Sequence, residues 1–186
     1  MRTLIVFNHV SLDGYFVDRN GAMNWAHKQD AEWNAFAAEN AGGGGELLFG
    51  RVTYEMMAGF WPTPAAMQMM PTVAERMNSL PKVVFSRTLG RASWQNTRLM
   101  KGDLPTEVRR LKAEPGPGIA ILGSGSIVAQ LAAEGLIDEY QIVLNAVALG
   151  RGRTLFDGVE KHLAMKLTKT RTFGNGNVLL SYEPAG

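Results

Sequence analysis

The chain has 186 residues, no cysteine, and 19 basic against 17 acidic side chains, for a formal net charge of +2. That length fits one domain able to bury a core without staples, and the lack of cysteine excludes disulfides, thiolate metal sites and cysteine nucleophiles while fitting a reducing compartment. Charge this balanced and scattered is not the footprint of a nucleic-acid binder, and no apolar run reaches membrane-spanning length.

Residues 2–10, rich in Leu, Ile, Val and Phe, read as a strand. Asn8 and His9 interrupt its apolar run, which lacks the core and cleavage site of a signal peptide; the expectation is a cytoplasmic protein that starts on a strand. Ser11-Leu12-Asp13-Gly14 is turn chemistry, and residues 15–27 read as an irregular loop. A helix is predicted from about Gln29 to Asn40, with Trp33, Phe36 and Ala37 at helical spacing. The glycine run 42–45 precedes the strand Glu46–Phe49 instead of following it, so it is assigned no phosphate chemistry. Gly50 ends that strand; a helix over Arg51–Ala58, a loop over 59–64 and a helix over Thr72–Asn78 follow. The next elements are a strand Lys82–Phe85, a further strand within 92–98, and a helix starting at Asp103-Leu104-Pro105. That helix ends before Pro115-Gly116-Pro117-Gly118.

Ile119–Leu122 reads as a strand, Ile127–Glu134 as a helix and Tyr140–Leu144 as a strand. Leu149–Arg153 reads as a basic glycine-rich loop. The chain closes on a hairpin, Ala164–Phe173 and Val178–Glu183, about Gly174-Asn175-Gly176-Asn177. The alternation predicts an α/β fold in a single domain over 1–186, with a mostly parallel central sheet and a C-terminal antiparallel hairpin. Arg109, Arg110 and Lys112 read as a solvated helix face, Asp138-Glu139 as a solvated pair, and Met56, Met57, Met67, Met69, Met70 and Met77 as helix packing.

Three strand-end segments carry candidate chemistry, because open α/β sheets bind ligands at the carboxyl ends of their strands. In Phe49-Gly50-Arg51-Val52-Thr53, the glycine admits a phosphate to the backbone, the helix start offers N–H groups, and Arg51 and Thr53 add donors. A plain helix start with a surface arginine explains the same residues. Phe85-Ser86-Arg87-Thr88 ends a strand in hydroxyls and a guanidinium, suited to a 2′-phosphate or to an ordinary polar turn. Leu122-Gly123-Ser124-Gly125-Ser126 is a strand–glycine turn–helix unit. Val128 replaces the third glycine of G-x-G-x-x-G, so it is not a Rossmann fingerprint; phosphate binding is preferred there over packing alone.

Taken in order, Ser11-Leu12-Asp13-Gly14, Gly50-Arg51-Val52-Thr53-Tyr54-Glu55, Phe85-Ser86-Arg87-Thr88, Gly123-Ser124-Gly125-Ser126 and Leu149-Gly150-Arg151-Gly152-Arg153-Thr154-Leu155-Phe156 form a series. It resembles the dihydrofolate-reductase-like family related to the C-terminal reductase domain of the bifunctional riboflavin-biosynthesis deaminase/reductase. The resemblance implies a dihydrofolate-reductase-like three-layer fold, a homodimer and an NADPH site. By it, Gly50, Arg51 and Thr53 hold phosphates, Ser86 and Arg87 lie near the adenosine end, and Gly123, Ser124, Gly125 and Ser126 cradle the pyrophosphate. Ser11, Asp13 and Gly14 border the nicotinamide. The implied activity is NADPH-dependent reduction of a small heterocycle, similar to that of 5-amino-6-(5-phosphoribosylamino)uracil reductase. The alternatives are a pteridine or dihydrofolate-type reductase and a non-catalytic dimeric nucleotide-binding protein. The chain departs from the riboflavin reductases at Phe7, where a lysine is frequent, at His9, where a small residue is usual, and at Ala146, where a proline is common.

A reductase of this kind often needs a proton donor. Dihydrofolate reductases carry a carboxylate on the first helix near a tryptophan. Asp30 stands in the matching place, with a helix-start role as its other reading. Trp25, Trp33, Phe60 and Trp61 are the aromatic candidates to wall a substrate pocket, and His9 a candidate from the end of its strand; core packing is their other reading. His9, His27 and His162 have no metal-ligand spacing, so no metal is expected.

Overall fold

The computed structural model describes residues 1–26, 28, 30–42 and 45–186. Its strands are β1 (Leu4–Ser11), β2 (Tyr15–Asp18), β3 (Glu46–Gly50), β4 (Lys82–Phe85), β5 (Thr97–Met100), β6 (Ile119–Leu122), β7 (Glu139–Asn145), β8 (Gly152–Thr154), β9 (Met165–Thr172) and β10 (Val178–Pro184). Its helices are α1 (Ala31–Gly42), α2 (Arg51–Phe60), α3 (Pro64–Met69), α4 (Pro71–Ser79), α5 (Leu104–Ala113) and α6 (Gly125–Ala133). Eight strands form one sheet in the order β5-β4-β3-β6-β1-β7-β10-β9. Neighbours from β5 to β7 run parallel, while β10 lies antiparallel to both β7 and β9. This is the expected mostly parallel α/β sheet with a C-terminal antiparallel pair.

Burial explains the strand sequences. β4 (KVVF) is buried along its whole length, as a parallel strand covered on both faces must be. β1 alternates: Leu4, Val6, Asn8 and Val10 are buried, and Ile5, Phe7 and His9 are half-buried on the other face. Beneath the first face, Val6, Leu48 and Ile121 pack with Val108 and Leu111 of α5 and Val128 and Leu131 of α6. On the opposite face, Phe49, Val84, Met77 and Trp94 form one cluster. Val143, Phe173 and Leu179 form another there, against Phe7, Trp33 and Phe36. Among the described residues no helix is long and apolar enough to cross a membrane.

Several expectations need correction. β2 and β8 pair as a separate antiparallel ribbon with an irregular register; both segments read as loops because strands so short carry no visible period. α3 lies beyond the expected loop, started by Thr63, whose hydroxyl accepts the Ala66 N–H at 3.3 Å, and by Pro64. The strand expected within 92–98 begins only at Thr97. Before it, Trp94 turns inward, its N–H on the Tyr54 hydroxyl (2.9 Å) and its indole N–H on Asn78 (2.8 Å). α1 runs on to Gly42, and the expected Gln29 start, His27, Gly43 and Gly44 lie outside the described residues. Lys112 is buried, not on a solvated face; its ammonium donates to the Leu136 carbonyl and pairs with Asp138 at 2.6 Å. Asp138 is exposed, as expected, and its carboxylate also accepts the Leu4 N–H. Met77 packs in the core as expected, but Met56, Met67 and Met69 are exposed.

Candidate functional site

β3 and β6 are neighbours whose chains leave in opposite directions. β3 leads through α2–α4 to β4 on one side, and β6 leads through α6 past β1 to β7 on the other. Such a divergence opens a crevice at the carboxyl edge of a parallel sheet. The Gly50–Thr53 and Gly123–Ser126 bends meet there. The Gly50 N–H donates to Ser124 Oγ (2.8 Å), and the Ser124 N–H donates to Thr53 Oγ1 (3.1 Å). Asn8, buried in β1, donates to the Gly123 carbonyl at 3.2 Å.

The backbone at this junction is unusual. Gly123 has φ +60°, and a Cβ on it would lie 3.0 Å from Thr53 Cγ2. Ser124 itself sits in the left-handed region (φ 59°, ψ 58°), which costs a non-glycine residue about 1–2 kcal/mol. The two hydrogen bonds to Gly50 and Thr53 hold it there. Ser124 is the N-cap of α6 and Gly50 the N-cap of α2, and neither supplies a side-chain cap. Two positive helix ends therefore adjoin at the crevice, and neither N-cap residue takes up their first-turn N–H groups with a side chain.

Next along the edge, the turn after β1 is clamped. Ser11 is buried and donates to Asp13 at 2.6 Å. Asp13 also accepts the Leu149 and Gly150 N–H groups, Gly150 at 2.7 Å. These bonds, the Ser11 hydroxyl first and then the two backbone donors, lower the Asp13 pKa to about 2. Gly14 follows with φ +89° and open space about it. So Ser11 and Asp13 join two loops at the site's rim, a coupling across more than a hundred residues that the sequence does not display.

Other expected site residues are placed as follows. Ser86 continues β4 beside the end of β3, and its hydroxyl accepts the Thr88 and Leu89 N–H groups of its own turn. Arg87 is exposed. Arg51 starts α2 in an exposed ion pair with Glu55 at 2.8 Å. Ser126 is exposed, whereas Gly125 is buried and closes on β2, where a Cβ would stand 2.5 Å from the Phe16 ring. Packing thus demands that glycine.

The candidates for the substrate pocket are not gathered in one cluster. His9 packs edge-on against Trp33, ring centroids 5.2 Å apart. Trp61 belongs with Met57 and Trp94 in the α2–α4 cluster, its indole N–H on Met57 Sδ at 3.0 Å. Trp25 donates to the Ala22 carbonyl of its own short turn. Of these aromatics, Trp33 lies against His9, while Trp61 packs in the separate α2–α4 cluster. Asp30 accepts the Trp33 N–H at 3.1 Å, the bond of a helix-start residue.

Three polar residues near the site escaped the sequence reading. Asn145 and Asn177 are buried and bonded to each other at 3.1 Å. Asn145 also donates to the Val10 and Val143 carbonyls, and its Nδ2 lies 3.3 Å from His9 Nδ1. With Asn8 they fasten the carboxyl ends of β1, β6, β7 and the hairpin turn. The available signal was polar residues at strand ends otherwise apolar. Among the described residues no group of acidic and histidine side chains could hold a metal ion.

Comparisons agree with this architecture. The family model described as RibD C-terminal domain matches residues 2–179. The chain is 28% identical to the uncharacterized protein YyaP of Bacillus subtilis (strain 168), over 98% of this chain and 95% of YyaP. It is 25% identical to the uncharacterized YwjB of the same organism, over 99% of each. Among solved structures, it is similar to a protein of Shewanella sp. PV-4 named provisionally for riboflavin biosynthesis, with TM-score 0.75, 26% identity and 99% of each chain covered. It also shares the fold of a diaminohydroxyphosphoribosylaminopyrimidine deaminase/5-amino-6-(5-phosphoribosylamino)uracil reductase of Thermotoga maritima, with TM-score 0.66 and 12% identity. That match covers 99% of this chain and 57% of the Thermotoga chain.

Proposed function

The chain belongs to the RibD C-terminal domain family, and on that premise we propose that it is an NADPH-dependent reductase of a small heterocyclic substrate, of the kind reduced by the aminouracil reductase. One observation carries the reading: the Gly50–Thr53 and Gly123–Ser126 bends, joined by two hydrogen bonds, present two uncapped helix starts to one crevice. Such an arrangement suits a pyrophosphate. The fit extends along the edge. The order β4-β3-β6-β1 sets Arg87, Arg51, Gly123 and Ser11 in succession, over about 14 Å at the usual strand spacing. A dinucleotide lying along it has cations at one end and the Ser11–Asp13 clamp at the other.

When bound, NADPH supplies the hydride. The chain's own residues do the rest. Gly50 and Gly123 let the phosphates approach the backbone, and Arg51 exchanges Glu55 for a phosphate oxygen. The Asp13 clamp fixes the Leu149–Gly150 loop as the rim, and His9 with Trp33, edge to face, offers an aromatic corner for a ring beside the end of β1. Asp30 accepts the Trp33 N–H through one carboxylate oxygen, the bond of a helix-start residue, and the proton is assigned to no side chain. The same proposal includes a homodimeric state and a cytoplasmic location.

The test is a fluorescence titration with NADPH and NADH, followed by turnover with a panel of pyrimidines, pterins and quinones. NADPH should bind more tightly than NADH, and at least one pyrimidine should oxidise it. If neither dinucleotide binds, the reductase reading fails; binding without turnover leaves the nucleotide-binding protein as the answer.

A further inference from the structure

On the sheet face that α5 and α6 cover, residues of the connection between β8 and β9 adjoin β7 and β10. An open-mouthed cavity of about 410 Å³ lies along it, lined by Tyr140, Ile142, Phe156, Lys161, Leu163 and Tyr182 among others. Cavities that hold small molecules span about 300–1,000 Å³ and combine apolar walls with few polar groups. Tyr140 and Tyr182 are direct cross-strand partners, and the Phe156 ring lies 5.8 Å from that of Tyr140. This cavity is apart from the carboxyl-edge crevice: Tyr140 stands near the start of β7, and the site lies beyond that strand's other end.

Its polar groups are unengaged. Tyr140 is only 3% exposed, yet its hydroxyl has no hydrogen-bond partner among the described residues. No fully buried side-chain polar atom among those residues lacks a partner, so the Tyr140 hydroxyl keeps some exposure, and Tyr140 lines the cavity. Burial raises its pKa to about 12, leaving a neutral O–H donor. Lys161 forms no ion pair among the described residues. A donor hydroxyl and an ammonium over apolar walls call for a ligand that is flat, apolar and acceptor-only at one end.

We propose that this cavity binds a small aromatic carboxylate, its rings against Phe156, Ile142 and Leu163 and its carboxylate accepting from the Tyr140 hydroxyl and the Lys161 ammonium. The proposal does not depend on the reductase reading. It is tested on the full chain by methyl NMR titration with naphthoate and with uncharged naphthalenemethanol. Naphthoate should shift the Ile142, Leu163 and Met165 methyls saturably and bind about tenfold more tightly than the alcohol, the ratio that one charge-assisted contact supplies. Tyr140→Phe and Lys161→Gln should each remove about that factor for naphthoate. Ile142→Trp, which fills the space, should abolish binding of both probes. NADPH affinity should be unchanged in all three variants. Shifts confined to other methyls, equal affinity for the two probes, or no saturation overturns the proposal. So does a dilution series in which the same methyls shift without added probe, which would show a second copy of the chain covering the cavity.

Discussion

Gly123 is the residue least open to change. A side chain there meets both a left-handed backbone and the Thr53 methyl, so Gly123→Ala should lower stability by about 1–2 kcal/mol, read from the denaturant midpoint. It should weaken NADPH as well, because Thr53 must move off the Ser124 N–H. Arg51→Ala tests a different contact. If its guanidinium reads the 2′-phosphate, NADPH loses about 1.5–3 kcal/mol, roughly 10–100-fold, and NADH loses little. Equal loss for both dinucleotides assigns Arg51 to the pyrophosphate. Asp13 gives a pH signature. Its folded pKa of about 2 lies below the ordinary 3.8, so the clamp's contribution is complete above the ordinary value and is lost as pH falls through about 2. Exchange of the Leu149 and Gly150 amides should speed up in that window, and Asp13→Asn should remove the step.

At the scale of elements, α4 ends on a cation held inside the protein. The Lys82 ammonium donates to the Met77, Asn78 and Leu80 carbonyls at 2.7–3.1 Å and stands 4.5 Å from the Trp94 ring centre. Lys82→Met keeps the apolar stem and strands those acceptors, so a loss of about 1–3 kcal/mol is expected, or about 2–4 °C of melting temperature per kcal/mol for a chain this size. Burial lowers the Lys82 pKa to about 8 from 10.5. The unfolded chain then binds the extra proton between these values, so stability should rise with pH across that window, and Lys82→Met should flatten the rise. In the sequence, Lys82 was only the first residue of an apolar strand; its partners lie in a helix end whose position a period cannot give. The same limit hid β2 and β8, whose pairing spans most of the chain. By contrast, β3, β4 and β6 were legible because buried parallel strands are short apolar runs closed by glycine or polar turns, and α5 because Asp103 and Pro105 mark its start.

Across the whole molecule, strand–helix alternation revealed the sheet, and glycine-bearing strand ends revealed where its edge is chemically unusual. What alternation does not encode is which ends adjoin. Thr53 and Ser124 are 71 residues apart and meet only because β6 inserts between β1 and β3. Nor does alternation encode which aromatics share a cluster: Trp61 ends α2 and packs with Trp94, whereas His9, on β1, packs with Trp33. The most direct test is a crystal structure of the chain with NADPH. The pyrophosphate should lie within hydrogen-bond reach of backbone N–H groups from both the 50–53 and 123–126 bends, with the nicotinamide toward Ser11 and the adenosine toward Ser86. A dinucleotide seated elsewhere, or touching only one of those bends, contradicts the account.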